Sequence, residues 1–348
     1  MYESFYGLTG KPFQLNPDPA FYFGSRGHKR AYAYLQYGVH QGEGFIVITG
    51  EIGAGKTTIV RNLFEQIDRS KLVAAQLVST QLDAEDMLRS VAVAFGLPVK
   101  AGDKAMQLAS LEAFLCQLAI ENKRALLVID EAQNLTPRAV EELRMLSNFQ
   151  LEDKALLQSF LVGQPELRAM MQSPRMQQLR QRVIASCHLG PLDRDETQAY
   201  IEHRLQHVGW NGDPSFAPAC FEVIHTVTGG IPRRINTLCN RLLLAGFLGE
   251  KHQLDVPDVH AIAREINEEL GPGGGAVSAM AAAADPGTPM PAPVATTAAE
   301  TVSWEAHFRH LEERLDRLDK AVGAAMDLMH TLLHPDKPLA KPGGPRRT

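Results

Sequence analysis

Short apolar runs alternate with longer segments of helical periodicity over the first half of the chain. The runs are "FIVIT" at 45–49, "LVAAQLV" at 72–78, "ALLVI" at 125–129, "LLQSFLV" at 156–162 and "VIASCHL" at 183–189. Continuous apolar runs of this length are typical of strands that helices cover on both faces. The pattern therefore predicts an α/β domain with five strands in a mostly parallel sheet.

After "GPLDRDE" the pattern changes to helical periodicity alone. It predicts helices at 194–207, 216–227, 232–248 and 256–269. The acidic residues of "DRDE" suit the N-terminus of the first of these helices, because the helix dipole is positive there. We therefore predict an α/β domain over residues 1–192 and a helical domain over residues 193–270.

A third kind of sequence begins at residue 271. Residues 271–302 are rich in Gly, Ala and Pro and are predicted to form a disordered linker, because they have almost no large apolar side chains to bury. Over residues 303–334 apolar side chains then recur in alternating steps of four and three, which is the heptad period. These apolar residues are Trp304, Phe308, Leu311, Leu315, Leu318, Val322, Ala325, Met329 and Leu332.

The heptad pattern predicts a coiled-coil-like helix that self-associates or docks on a partner. The alternative is an amphipathic helix that folds back on the body of the protein. The regular period and the preceding linker favour an independent helix, and residues 335–348 are predicted to be a flexible tail.

Composition and charge narrow the class of protein. The chain has 348 residues, 45% of them hydrophobic, which is enough to bury a core. Its formal net charge is -5, so the overall charge gives no electrostatic attraction to nucleic acid or to anionic membranes. Its N-terminus lacks the basic and apolar regions of a signal peptide, and its longest apolar runs are shorter than the ~20 residues that a spanning helix needs. We predict a cytoplasmic protein that associates with the inner membrane only through partners.

The stretch "GEIGAGKT" at 50–57 matches G-x-x-x-x-G-K-[ST] and lies between an apolar strand and a helical segment. In this motif backbone N–H groups turn toward the phosphates, Lys56 reaches the β- and γ-phosphates, and the hydroxyl of Thr57 helps to hold Mg²⁺. The predicted nucleotide-binding residues are Gly50, Glu51, Ile52, Gly53, Ala54, Gly55, Lys56, Thr57 and Thr58.

An apolar strand that ends in two carboxylates supplies the matching acidic motif, "RALLVIDEAQN" at 124–134. The end of such a strand lies at the sheet edge beside the phosphate loop. Asp130 is predicted to act through Mg²⁺ and Glu131 to orient or deprotonate the attacking water. A base directed at water favours hydrolysis over transfer, and "NKRA" at 122–125 lacks the carboxylate that would recognise guanine, so we expect ATP.

With these motifs, the chain resembles the AAA+ ATPases of the general secretion pathway protein A type. It is most similar to the secretion ATPases associated with exosortase and PEP-CTERM loci. The resemblance covers about residues 1–270 and includes "LLVIDEAQNL", "FLVGQPEL", "LRQRV" and "GGIPRRIN" in the usual order. It implies a P-loop NTPase fold, an acidic strand next to the phosphate-loop strand, and a helical lid.

The resemblance also assigns residues to the ends of the nucleotide. The segment "PFQLNPDPAFYFGSRGH" is similar to one that packs near the adenine. That similarity makes His28 either a base contact or a structural histidine. Gln164, at the end of "FLVGQPEL", matches a polar residue between the acidic site and the γ-phosphate, and the proline after it also suits a helix start.

An arginine finger and a lid arginine complete the implied site. The segment "QQLRQRV" resembles the one that carries an arginine finger, so Arg180 or Arg182 is expected to reach the γ-phosphate of a neighbouring subunit. In "GGIPRRIN", Arg233 matches the lid arginine that contacts the nucleotide, and Arg234 is the structural alternative. A residue supplied by a neighbour implies a homo-oligomer that assembles with ATP.

The resulting hypothesis is an ATPase that supports an envelope secretion or exopolysaccharide-linked protein-export system. Contact with membrane or envelope assembly proteins is assigned to residues 303–334. The alternative is a DNA-binding AAA+ regulator of transposition or target selection. The negative net charge and the lack of a concentrated Lys/Arg run disfavour this alternative.

Overall fold

The computed structural model describes residues 1–78, 82–98, 104–152 and 154–270. The predicted linker, heptad helix and tail lie outside the described residues. The helices are α1 Tyr2–Phe5, α2 Arg26–Gln41, α3 Lys56–Gln66, α4 Ala84–Ala94, α5 Lys104–Ile120, α6 Pro137–Leu146, α7 Pro165–Gln172, α8 Gln177–Arg180, α9 Arg194–His207, α10 Pro218–Thr228, α11 Pro232–Leu248 and α12 Val256–Leu270.

The strands are β1 Phe45–Gly50, β2 Leu72–Val78, β3 Arg124–Asp130, β4 Gln150–Leu151, β5 Lys154–Ala155, β6 Leu157–Gly163, β7 Val183–Leu189, β8 Ser215–Phe216 and β9 Gln253–Leu254. Among the described residues, one parallel five-stranded sheet has the order β2-β3-β6-β1-β7. The predicted α/β class and its five strands are therefore confirmed, each strand to within one residue at either end.

One expectation about the sheet is wrong. The acidic strand β3 does not lie next to the phosphate-loop strand β1, because β6 pairs with both of them and separates them. That neighbouring position was implied by the resemblance alone, because the apolar pattern of each strand does not encode contacts between distant segments. The consequence is that β6 ends between the phosphate loop and the acidic residues, where Gln164 follows it.

Both faces of the sheet are buried, which explains why its strands have continuous apolar runs. Along β3, Ala125, Leu127 and Ile129 pack into the core under α4, α5 and α6. Leu126 and Val128 point to the other face and pack with side chains of α2 and α3. Alternate side chains of a strand point to opposite faces, so a strand covered on both sides needs apolar residues at every position.

The helices α9 to α12 form a second hydrophobic core, which we call the lid core. It also includes Tyr2, Tyr6, Leu8 and Phe13 from the N-terminus. The first residues of the chain therefore pack with the last described helices, although the sheet separates the two segments in sequence. No periodicity over a few residues signals such a contact.

The sequence pattern predicted helices alone after the sheet, and this prediction is wrong in one respect. The two-residue strands β8 and β9 pair in parallel and connect the segments before α10 and α12. Strands of two residues are too short to show an alternating pattern. No helix in the described ranges combines the length and apolar character that crossing a membrane requires.

Candidate nucleotide site

The phosphate loop connects the buried end of β1 to the first turn of α3. Gly53 and Gly55 have φ of +83° and +95°, in the left-handed region that favours glycine. A Cβ atom on Gly53 would lie 2.3 Å from Cβ of Arg233, and one on Gly55 would lie 2.6 Å from Nε2 of His28. Glycine at these positions therefore provides both the backbone conformation and room for the side chains that surround the loop.

Lys56 begins α3, and its side chain folds over the loop. Nζ donates hydrogen bonds to the carbonyl oxygens of Gly50 at 2.7 Å and Glu51 at 3.0 Å. Burial lowers the pKa of Lys56, and the nearby carboxylates of Glu131 and Asp130 partly oppose that effect. The structure thus brings the predicted lysine and the predicted acidic pair together at one end of the sheet.

Asp130 and Thr57 lie side by side and are joined by a hydrogen bond. The Thr57 hydroxyl donates to Oδ2 of Asp130 at 3.0 Å, and the backbone N–H of Glu131 donates to Oδ1 at 3.0 Å. Burial raises the pKa of Asp130, while these two hydrogen bonds act in the opposite direction. Oxygen ligands from one carboxylate and one hydroxyl fit Mg²⁺, which takes few protein ligands and completes its shell with water and phosphate oxygens.

Glu131 follows β3 in the left-handed conformation, with φ of 54°. Its Oε2 accepts hydrogen bonds from Nε2 of Gln133 at 2.6 Å and Nε2 of Gln164 at 3.0 Å. Burial tends to raise the pKa of Glu131, but these two bonds and the charge of Lys56 outweigh it, so its pKa lies below the usual value. Gln164 therefore lies beside Glu131, and Gln133 is a partner of Glu131 that the motif analysis missed.

A cavity of about 410 Å³ opens in front of the phosphate loop. Its size is in the range of sites that bind small molecules. The N-terminal segment contributes Gln14, Leu15, Asn16, Pro17, Asp18, Phe21, Tyr22, Phe23 and His28. The phosphate-loop side contributes Ile52, Gly53, Gly55, Lys56, Thr57, Thr58 and Glu131, and the helices after the sheet contribute Tyr200, Arg204, Pro232, Arg233 and Asn236.

His28 is buried beneath the loop as well as next to the cavity. Its Nδ1 lies 2.7 Å from Oγ of Ser25, the residue that caps α2. Burial lowers the pKa of His28 to about 4, partly offset by a hydrogen bond to the backbone of Ala54. These contacts to the loop favour the structural role over contact with a base.

The predicted lid arginine, Arg233, is joined to the phosphate loop by a backbone hydrogen bond. The backbone N–H of Arg233, in the first turn of α11, donates to the carbonyl oxygen of Gly53 at 3.1 Å. The Arg233 side chain is exposed and lines the cavity, whereas Arg234 is not among the cavity-lining residues of the described ranges. Arg233 is therefore the better placed of the two for a nucleotide contact.

Neither predicted finger arginine lines the cavity. Arg180 is exposed, and its guanidinium donates to the carbonyl oxygens of Met171 at 2.9 Å and Ser173 at 3.2 Å. Arg182 is half-buried and donates to Oγ of Ser147 at 2.6 Å. Both side chains thus bind groups of their own chain, and Arg180 has the greater exposure.

A buried arginine that sequence reasoning missed forms the opposite wall of the cavity. Arg204 donates to the carbonyl oxygens of Pro12 at 2.6 Å and Gln14 at 3.3 Å, and to the hydroxyl of Tyr200 at 2.8 Å. The Tyr200 hydroxyl donates in turn to Oδ1 of Asn236 at 2.9 Å. These bonds connect α9 and α11 to the N-terminal segment. No sequence motif contains this set, because its members are spread from residue 12 to residue 236.

Comparison with known proteins identifies the domain that carries the phosphate loop, the acidic pair and Gln164. Residues 39–171 match the family model of the AAA domain. General secretion pathway protein A of Aeromonas hydrophila is 38% identical over 269 residues, which are 77% of this chain and 49% of that protein. The chain thus spans about half the length of this relative.

Solved structures support the same fold. The CDC6P protein of Pyrobaculum aerophilum superposes with a TM-score of 0.58 at 17% identity, covering 76% of this chain and 74% of that chain. The ORC2 protein of Aeropyrum pernix, in ADPNP-ADP complexes, superposes with a TM-score of 0.57 at 18% identity, covering 73% of this chain and 71% of that chain. At these identities the likeness establishes the fold.

Proposed function

This chain has a P-loop AAA fold and a domain homologous to general secretion pathway protein A, and from that premise we propose that it is an ATPase supporting an envelope secretion system. The observation that carries the proposal is the arrangement at the end of the sheet. Lys56, the pair of Thr57 and Asp130, and Glu131 meet at the phosphate loop. This combination suits the hydrolysis of a nucleoside triphosphate.

In the proposed site each residue acts on a different part of the reaction. Lys56 and the loop N–H groups bind the phosphates, and Thr57 and Asp130 hold Mg²⁺, which when bound neutralises charge on the phosphate oxygens. Glu131 accepts a proton from the attacking water. The carboxylate of Glu131 is ionised at neutral pH, as a proton acceptor must be.

We further propose that the ATPase assembles as a homo-oligomer in which Arg180 completes the site of a neighbouring subunit. The exposure of Arg180 supports it over Arg182, a half-buried residue whose guanidinium donates to Ser147. To bind a phosphate in trans, Arg180 exchanges its bonds to the carbonyls of Met171 and Ser173 for charged oxygens, which are stronger acceptors.

The system that the ATPase serves is proposed from homology. The matched relative is a general secretion pathway protein, and it is about twice as long as the matched region. We propose that residues 303–334 recruit envelope assembly proteins of a secretion or exopolysaccharide-linked export system. Deleting these residues is expected to preserve the basal ATPase rate and abolish recruitment to the membrane fraction. Unchanged recruitment would contradict this assignment.

The decisive experiment measures Mg²⁺-dependent ATP hydrolysis and nucleotide affinity for the wild type and Glu131→Gln. The substitution removes the base but keeps the shape, so we expect ATP to bind with little change while kcat falls by about 10²-fold or more. Glu265→Gln, an exposed position on α12, is the control and is expected to hydrolyse at the wild-type rate. A Glu131→Gln variant as fast as the wild type would refute the proposal.

Oligomerisation is tested by the dependence of the specific rate on protein concentration. The wild-type rate is expected to rise with concentration, and Arg180→Ala is expected to remove that rise. Arg182→Ala is compared with it, and Arg175→Ala is the control, an exposed arginine of the same segment. A wild-type rate independent of concentration would contradict the trans role. A rate stimulated by DNA and lost steeply with salt would favour the DNA-binding alternative.

A further inference from the structure

We propose that Gln133 is a positioning residue that sets the orientation of Glu131 and couples it to Gln164. The proposal rests on the proposed ATPase function. Its basis is a closed set of three hydrogen bonds. Gln133 Nε2 donates to Glu131 Oε2 at 2.6 Å, Gln164 Nε2 donates to the same oxygen at 3.0 Å, and the backbone N–H of Gln164 donates to Gln133 Oε1 at 2.9 Å.

The backbone brings Gln133 back toward the carboxylate. Glu131 adopts the left-handed conformation, and residues 132–134 form one 3₁₀ turn directly after it. This turn directs the side chain two residues after Glu131 to the end of β6. Gly163, the last residue of β6, provides the space, because a Cβ atom there would lie 2.6 Å from Gln133 Oε1. A side chain at 163 would therefore displace the amide of Gln133 from this position.

The two ends of the Gln133 amide have different partners, so only one orientation satisfies both. Its NH₂ group faces a carboxylate, which accepts hydrogen bonds, and its oxygen faces an N–H at the start of α7. The reversed amide would place its oxygen against the carboxylate. A carboxylate at position 133 would have the same defect, since it has no proton to donate when ionised.

Both donors bind the same oxygen of Glu131. Among the hydrogen bonds of the described residues, this arrangement leaves Oε1 as the oxygen that can accept a proton from water. Two bonds on one oxygen also restrict rotation of the carboxylate. Gln133 therefore determines which oxygen of Glu131 is presented, although its own side chain is not part of the cavity wall.

The connection to Gln164 gives Gln133 a second role. Gln164 begins α7, and both its backbone and its side chain belong to the set of three hydrogen bonds. A movement of Gln164 therefore changes the donors that hold Glu131. Removal of Gln133 and removal of Gln164 should not act independently, and the effect of the double variant on kcat should differ from the product of the single effects.

The test compares Gln133→Leu and Gln133→Glu with the wild type by kcat and by KM for ATP. We expect kcat to fall by about tenfold or more, a part of the roughly 10²- to 10⁴-fold that a positioned base contributes. We expect KM to change by less than about twofold, because Gln133 does not line the cavity. Gln172→Leu, an exposed glutamine at the end of α7, is the matched control.

The split between kcat and KM separates positioning from general structural damage. Loss of the Gln133 hydrogen bonds should lower kcat and leave the affinity for ATP unchanged, whereas damage to the fold should lower both. A wild-type kcat in Gln133→Leu would overturn the proposal. So would a fall in ATP affinity as large as the fall in kcat.

The same set of assays distinguishes failure of the positioning role from failure of the ATPase function. Wild type and Glu131→Gln are run beside the Gln133 variants, with thermal unfolding to verify that each one folds. If the wild type hydrolyses ATP no faster than Glu131→Gln, the proposed function fails. If the wild type is faster and Gln133→Leu equals it, only the positioning role fails. If Gln133→Leu is unfolded, Gln133→Glu decides by the same criteria.

Discussion

At the scale of single residues, His28 shows how the surroundings of a side chain restrict its role. The imidazole is buried between α2 and the phosphate loop, with Ser25 on one ring nitrogen and Gly55 close to the other. In this position His28 packs against the phosphate loop and helps to fix its conformation. Its low pKa, about 4, follows from the cost of burying a charged ring.

The titration of His28 predicts how stability depends on pH. Its folded pKa of about 4 lies below its unfolded value of 6.5, so the unfolded chain binds more protons between these values. The contribution of the neutral ring to stability is therefore complete above pH 6.5 and is lost as pH falls toward 4. The loss is about 3 kcal/mol by pH 4.

Urea unfolding of the wild type and His28→Gln between pH 7 and pH 4 measures this contribution. The variant cannot be protonated, so its free energy of unfolding should fall less steeply with decreasing pH. His260→Gln, an exposed position on α12, should keep the wild-type slope. Equal slopes for the wild type and His28→Gln would show that the ring is protonated at no cost to the fold.

The residues that sequence analysis missed share one property. Lys56, Thr57, Asp130 and Glu131 were predicted because each has a fixed place in a contiguous motif with known chemistry. Gln133 lies within the acidic motif at 124–134. Its proposed role depends on contacts with the end of β6, which is 30 positions away in the sequence. Spacing alone therefore could not identify it.

At the scale of elements, the buried Arg204 holds the N-terminal segment against α9 and α11. Its guanidinium has no carboxylate partner among its hydrogen bonds and binds the carbonyl oxygens of Pro12 and Gln14 and the hydroxyl of Tyr200. It also lies 4.7 Å from the ring centroid of Phe21. One side chain thus connects the two walls of the cavity.

Arg204→Met is predicted to destabilise the protein by about 3 kcal/mol. The substitution keeps the apolar stem but leaves buried carbonyl oxygens without their donor, which is costly away from water. It should also weaken ATP binding, because the segment it holds lines the cavity. Urea unfolding and nucleotide titration measure the two effects, with exposed Arg264→Met as the control. A loss of less than about 0.5 kcal/mol, typical of surface positions, would contradict the role.

Helices and strands could be predicted where a single hydrophobic pattern runs along the whole element. The strands were recognised because both faces of the sheet are covered, and α9 and α11 begin and end where the sequence pattern predicts. The capping box of Asp193 and Glu196 explains the start of α9 in physical terms. Strand order and the pairing of β8 with β9 depend on contacts between residues far apart in the sequence, so the local hydrophobic pattern does not predict them.

At the scale of the molecule, the N-terminus and the lid core form one hydrophobic unit. Tyr6 is 1% exposed, and its hydroxyl donates to the carbonyl oxygen of Lys251 at 3.0 Å. Tyr2 and Leu8 are buried in the same core. The segment that lines the cavity, from Gln14 to Phe23, therefore follows directly from residues anchored among the lid helices. Both walls opposite the phosphate loop depend on this one core.

Tyr6→Ala tests that dependence without altering any residue of the cavity. The truncation leaves a void in the lid core and should lower the free energy of unfolding by about 3 kcal/mol, whereas Tyr37→Ala, at a side chain 49% exposed, should change it by less than about 0.5 kcal/mol. Because a nucleotide would contact both this unit and the phosphate loop, ADP at one hundred times its Kd should restore about 2.7 kcal/mol. The wild type and Tyr6→Ala are each measured with ADP at one hundred times the Kd of that protein. If ADP stabilises the wild type by this amount and does not stabilise Tyr6→Ala, the variant binds nucleotide in a state whose lid core is unfolded. The cavity walls would then not depend on the lid core.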